Sequence, residues 1–185
     1  MTRTQLETLE IRTVFFYPPS HTYADDPDAW WSWPGNDFDA EGRQQEYVAE
    51  LRNMGQRLGL DIRADGGSTW TGEQTDALVQ QLEADPPGGL LIVLFANHSR
   101  GLADRLSAAA EKLGIPVVYY IALGVTHGPG PRFRQYRREG LHFIMSLENF
   151  DAIERGLRLI RDGKPLGQGP WPDGSSGVAD RPAGT

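Results

Sequence analysis

Residues 88–101 read GGLLIVLFANHSRG and predict both the fold and the functional face of this chain. Six consecutive apolar residues, Leu90 to Phe95, follow two glycines and are followed at once by polar residues. A continuous apolar run of this length between turn residues is typical of a strand buried on both faces, as in a parallel sheet between helices. The change at Asn97 marks the end of the strand, where ligands of open α/β sheets bind.

The composition is that of one globular domain. The chain has 185 residues, of which 39% are hydrophobic and 23% are charged, so it is long enough to bury a core. The net charge of −7 argues against general nucleic-acid binding, because that activity requires a basic surface. The absence of cysteine excludes disulfides, thiolate-bound metals and cysteine nucleophiles.

The distribution of apolar residues predicts a cytoplasmic protein without membrane association. No segment approaches the roughly 20 apolar residues that span a bilayer. The first residues, MTRTQLETLEIRT, lack the apolar centre of a signal peptide. We assign residues 1–165 to a single domain and residues 166–185 to an irregular tail, because Gly, Pro, Ser and Asp dominate the end of the chain.

The remaining segments alternate between strand and helix patterns. Besides the central run, β-branched and aromatic stretches predict strands at 11–17, 60–64, 115–123 and 141–145. Apolar residues at three- and four-residue spacing predict helices at 41–58, 72–84, 101–113 and 147–161. We expect Thr71 and Ser146 to cap the starts of two helices and Gly59 to end another.

This alternation predicts an α/β fold with a doubly wound parallel sheet and helices on both faces. We expect five strands in the flavodoxin-like order 2-1-3-4-5. In that order the first and third strands are neighbours, and a ligand-binding crevice opens above them.

Three histidines each lie within a few residues of the carboxyl end of a predicted strand. His21 follows the first strand, His98 the third and His127 the fourth. Neighbouring strands are about 4.8 Å apart, so we expect these imidazoles to approach one pocket, where histidine suits acid–base chemistry. The alternative is that they are ordinary polar residues of the rim, and the pattern does not predict a bound metal. His142, inside the fifth predicted strand, is expected to be a core or edge residue.

Other polar and aromatic side chains are candidates for the same ligand-facing rim. Asn97, Ser99 and Arg100 directly follow the central strand, and Ser68 follows the second strand in a Gly-rich turn that offers backbone N–H groups to an anion. Trp31 is one of three tryptophans in the loop after the first strand. Its ring suits a sugar, a base or a partner protein, or alternatively covers the core or a subunit interface.

No familiar catalytic or phosphate-binding motif occurs in the chain. It contains no GxxxxGK[ST], no GxGxxG after a strand and no GxSxG. The sequence therefore assigns no catalytic residue and no cofactor.

Two segments carry a resemblance to a known family. They read GGLLIVLFANHSRGLADRLSAAAEKLGIPVVYYIALG at 88–124 and LHFIMSLENFDAIERGLRLIRDGKPL at 141–166. They resemble the N-terminal Rossmann-like domain of the L-fucose/L-arabinose isomerase family and its uncharacterised relatives. The shared features are an apolar strand that ends in a polar turn, the Gly-x-Pro-Val-Val pattern at 114–118 and a late helix with Gly-Leu-Arg at 156–158.

The resemblance implies a stand-alone domain that binds a small polar molecule, with carbohydrates first among the candidates, and that lacks a complete catalytic set. The family's metal-binding carboxylates and catalytic residues come mainly from later domains, so none is transferred to this chain. Two alternatives stay open. One is a small enzyme that uses histidine and carboxylates on a sugar or nucleoside, and the other is an interaction module that forms homo-oligomers through its tryptophan loop.

Overall fold

The computed structural model describes residues 8–24, 39–122, 135–146 and 148–167, and it gives no side-chain positions for residues 23, 24 and 97. In chain order the elements are β1 (Glu10–Phe16), α1 (His21–Ala24), α2 (Ala40–Leu58), β2 (Asp61–Arg63), β3 (Ser68–Thr69), α3 (Gly72–Ala84), β4 (Gly89–Leu94), α4 (Arg100–Lys112), β5 (Val117–Ile121), β6 (Leu141–Met145) and α5 (Phe150–Arg161).

The sheet is parallel and has β4 near its centre. Its order is β2-β1-β4-β5-β6, with β3 paired to β1 as well. Every residue of β4 is buried, as are all five residues of β5. The predicted α/β fold with a parallel sheet is therefore confirmed.

The prediction of five strands in the order 2-1-3-4-5 is wrong as stated, because the sheet has six strands in the order 2-1-4-5-6. The additional strand is β3, which pairs with Phe15 and Phe16 at the carboxyl end of β1, whereas β2 pairs with the amino-terminal half of β1. Gly66 and Gly67 lie between β2 and β3, where the chain leaves the sheet and then rejoins it. A two-residue strand is too short to show a periodic pattern in the sequence.

Two helices cover each face of the sheet. Helices α3 and α4 pack against each other on one face, and α2 and α5 lie on the other. Side chains of β1 alternate accordingly, since Arg12 bonds to Asp85 at the end of α3 at 3.2 Å and the Phe15 ring contacts Tyr47 of α2. The core consequently forms two apolar layers with the sheet between them.

Two of the three predicted caps are confirmed. Thr71 forms a capping box with Gln74 at the start of α3, and Gly59 ends α2 in the left-handed conformation with φ of 67°. Helix α5, however, is capped by Asn149, whose Oδ1 accepts from Ala152 N at 3.0 Å. The Ser146 hydroxyl instead accepts from Asn149 Nδ2 at 3.3 Å, so the prediction of Ser146 as the cap is wrong.

Gly156 allows α5 to approach β5 and β6 closely. A Cβ atom at this position would lie 2.7 Å from His142 Cδ2 and 2.8 Å from Val118 Cγ2, both far below van der Waals contact. His142 thus packs beneath the helix, and this burial, together with the charge of Arg155, lowers its pKa.

We expect Gly156→Ala to lower the free energy of unfolding by about 1–3 kcal/mol, because overpacking outweighs the better helix propensity of alanine. Urea unfolding measures the effect. Gly101→Ala in α4 is the matched control, since a Cβ there meets no atom within 4 Å, and it should leave stability equal or slightly higher. Equal effects of the two substitutions would contradict the close packing of α5.

Candidate functional site

A chain of buried hydrogen bonds connects three elements at the carboxyl end of β1. Tyr17, directly after β1, donates its hydroxyl to Gln44 Oε1 at 2.6 Å, and Gln44 Nε2 donates to the Gly66 carbonyl at 2.7 Å. Tyr17 is 2% exposed and Gln44 is 9% exposed. The strand end, helix α2 and the glycine loop after β2 are thereby held in one arrangement.

The local sequence explains why these side chains meet. Tyr17 is two residues beyond Phe15 and faces α2, as the period of a strand requires. Gln44 lies on the buried stripe of α2 together with Tyr47 and Leu51. A buried amide costs free energy unless both its donor and its acceptor are used, and here both are.

A cleft of about 580 Å³, which we call the α2 cleft, lies beside this chain of hydrogen bonds. Its volume is within the usual range for small-molecule sites. Its lining combines apolar surface, which is the larger part, with carboxylates, amides, hydroxyls, a guanidinium and glycine backbone, from Tyr17, Glu41, Gln44, Gln45, Val48, Arg52, Ala64, Asp65, Gly66, Gly67 and Ser68.

Glu41, in the first turn of α2, supplies an ionised carboxylate to the cleft. Burial alone raises its pKa, but hydrogen bonds from the backbone N–H of Ser20, at 2.8 Å, and from the Ser20 hydroxyl outweigh it, helped by the charge of His21. The pKa of Glu41 is therefore lowered below its ordinary value. The carboxylate stays charged at neutral pH and keeps a fixed orientation.

Tyr17 is the neutral counterpart of Glu41. Burial, together with the negative charges of Glu41 and Asp39, raises the pKa of Tyr17 to about 12, although a hydrogen bond with Ser68 acts in the opposite direction. The phenol therefore remains protonated and continues to donate to Gln44 at neutral pH.

The mouth of the α2 cleft is crossed by the Arg52–Asp65 ion pair at 3.3 Å. Both side chains are more than half exposed, at 63% and 75%. Exposed pairs of this kind add little stability, so a ligand can displace the pair at small cost.

The structure brings some of the predicted site residues to this cleft. Ser68 lines the α2 cleft as the first residue of β3. It does not lie in a turn at a helix start, which is the geometry that we expected to bind an anion. His21 begins α1 and acts electrostatically on Glu41. Trp31 and His127 lie outside the described residues, so the predicted pocket of three histidines stays a prediction.

The predicted residues after β4 lie elsewhere. Residues 97–99 form a short 3-10 turn before α4, in which His98 is exposed and Ser99 is buried. The side chain of Asn97 is not described. None of these residues, nor Arg100, is part of the lining of the α2 cleft.

Arg100 is next to a second polar cluster, on the opposite face of the sheet. Asp104 Oδ1 accepts the hydroxyls of Tyr119 and Tyr136 at 3.0 and 2.8 Å. Burial raises the pKa of both tyrosines, and the positive charge of Arg100 partly opposes the shift. Tyr136 also stacks on Phe143, with ring centroids 4.3 Å apart. This cluster fastens Tyr136 to α4 and β6, which is a structural role.

The sequence did not single out Tyr17, Glu41, Gln44 or Asp65 as site residues. One signal was available, since Gln44 is a polar residue on the apolar stripe of a predicted helix and such positions need buried partners. Within the described residues no group of three or more His, Asp or Glu side chains is arranged to hold a metal ion. The described helices also include none that is long and apolar enough to cross a membrane.

Comparisons with protein-family models, with curated proteins and with solved structures returned no match to this chain. The site must therefore be interpreted from its own geometry.

Tyr17→Phe should lower the free energy of unfolding by about 1 kcal/mol or more at neutral pH, because Gln44 loses its donor inside the protein. The substitution should also reduce the decrease in the free energy of unfolding at alkaline pH. With a pKa raised from 10.0 to about 12, Tyr17 stabilises the folded state below pH 10.0, and this contribution disappears as the pH rises through that interval. Urea unfolding across this pH range, with wild type beside the variant, tests both effects, and parallel curves would contradict the account.

Proposed function

We propose that this chain binds a small hydroxylated molecule of the carbohydrate class in the α2 cleft. The observation that carries the proposal is a cleft of about 580 Å³ at the carboxyl ends of β1 and β2 whose polar wall is fixed by the hydrogen bonds of Tyr17, Gln44 and Gly66. A wall that is already ordered before binding loses little conformational entropy when a ligand arrives.

The chemistry of the lining suits a polyhydroxylated ring. Each hydroxyl of a sugar both donates and accepts, and the cleft offers the acceptor carboxylate of Glu41, the amide of Gln45 and the hydroxyl of Ser68. Val48 adds apolar surface for the C–H face of a ring. A few polar groups placed on a larger apolar surface are typical of sites that orient a small ligand.

The resemblance to the N-terminal domain of the fucose and arabinose isomerases supports the choice of ligand class, and kinship with that family is part of the proposal. No reaction and no catalytic residue are proposed. Homo-oligomer formation and a cytoplasmic location stay predictions from the sequence.

Calorimetric titration of the protein with a panel of neutral and aminated monosaccharides tests the proposal. We expect at least one sugar to bind and to raise the melting temperature. Gln45→Trp places a large ring at the exposed edge of the α2 cleft, and it should weaken that binding about tenfold or more. Glu46→Trp is the matched control, because Glu46 is also exposed on α2 but is not part of the cleft.

Two results would contradict the proposed site. One is that no sugar in the panel binds. The other is that binding survives Gln45→Trp unchanged and is lost in His98→Ala, which would place the ligand at the turn before α4.

A further inference from the structure

The charges around the α2 cleft are uneven. Glu41 and Asp65 line it, and Asp39 caps the helix beside it, close enough to raise the pKa of Tyr17. Among the lining residues that the structure describes, Arg52 is the single Lys or Arg, and it is already bound to Asp65. The charge of Glu41 is therefore balanced by hydrogen bonds and by the charge of His21, and not by a neighbouring guanidinium.

The other arginine near the start of α2 does not change this balance. Arg43 pairs with Glu46 on the same helix at 2.5 Å and with Glu148, ahead of α5, at 3.1 Å. The two guanidinium nitrogens of Arg43 that form these pairs therefore bond to carboxylates outside the α2 cleft. Among the described lining residues, an anionic ligand in the cleft would meet two carboxylates, those of Glu41 and Asp65, and one guanidinium, that of Arg52.

The hydrogen bonds of Glu41 leave it able to receive a donor. An ionised carboxylate accepts about four hydrogen bonds and donates none. Ser20 supplies two of them, one to each oxygen. The backbone N–H of Glu41 itself is a further donor to the carboxylate. The carboxylate is thus oriented by donors at the start of α2, and of its roughly four acceptor positions one is left for a ligand that brings N–H or O–H groups.

We infer that the α2 cleft selects a ligand that carries an ammonium group beside its hydroxyls, as an amino sugar does, and disfavours phosphorylated or carboxylated ligands. This inference rests on the proposed function and names its ligand class. An ammonium group donates to Glu41 in a charge-assisted hydrogen bond, which is stronger than a bond between neutral groups. Phosphate and carboxylate groups offer acceptors where the cleft already has an excess of them.

A series of four sugars separates charge from shape. Glucosamine, glucose, N-acetylglucosamine and glucose 6-phosphate are titrated into the 185-residue chain at neutral pH and low salt. We expect glucosamine to bind about tenfold or more tightly than glucose and N-acetylglucosamine, and glucose 6-phosphate to bind most weakly. N-acetylglucosamine is the decisive member, because acetylation removes the charge and keeps the ring.

Glu41→Gln tests which side chain makes the distinction. Glutamine retains an acceptor for the Ser20 backbone N–H but has no charge, so the preference for glucosamine over glucose should fall by about tenfold. Glu46→Gln is the control, because it removes the same charge from the same helix outside the cleft. If Glu41→Gln does not fold, the wild-type series alone decides.

The failures of the two proposals differ in what is observed. One possible result is that sugars bind and Gln45→Trp weakens the binding, but glucosamine is not preferred. Another is that the preference for glucosamine survives Glu41→Gln. Either result would overturn the ligand class and retain the site. A complete absence of sugar binding would overturn the site and the ligand class together.

Discussion

Burial of β4 on both faces is the constraint on which the rest of the structure depends. Its six residues carry no polar side chain, so each face must be covered by apolar surface from helices. Helices α3 and α4 cover one face, and α2 and α5 cover the other. Charged and hydrogen-bonding side chains are consequently confined to the helix surfaces and to the two ends of the strands, where any ligand site must be.

The chain of hydrogen bonds through Tyr17 and Gln44 brings polar groups into the interior, as the Asp104 cluster does on the other face of the sheet. Both bonds of Gln44 are short and the one between Tyr17 and Gln44 is buried, so breaking it leaves an unsatisfied group in a medium of low polarity. That penalty gives the wall of the α2 cleft a defined shape. The exposed Arg52–Asp65 pair at the mouth lacks such a penalty and is free to rearrange.

Much of the fold could be predicted because long elements repeat their pattern many times. The apolar run at 90–95 and the stripe of α2 each leave one consistent interpretation. Short-range choices were less predictable. The two residues of β3 show no period, and Ser146 and Asn149 are both good caps, so the sequence around them does not decide which one starts α5.

The site was harder to predict than the fold. The rule that polar residues gather at strand ends drew attention to Ser68, which lines the α2 cleft, but the rule applies equally to His98 and Arg100, which lie away from it. Glu41 and Gln44 lie on α2. The sequence around them predicts only that Glu41 is near the start of a helix and that Gln44 is on its buried stripe. Their roles arise from contacts with Ser20, Tyr17 and Gly66, and no local pattern specifies those contacts.

The most direct test of the account is to map the bound ligand on the protein by nuclear magnetic resonance. ¹⁵N-labelled protein is titrated with glucosamine, and shifts of backbone and side-chain amides are followed. We expect the largest changes at the backbone amides of Gly66, Gly67 and Ser68 and at the side-chain amide of Gln44. Changes concentrated at residues 98–100 before α4, or the absence of any change, would contradict the account.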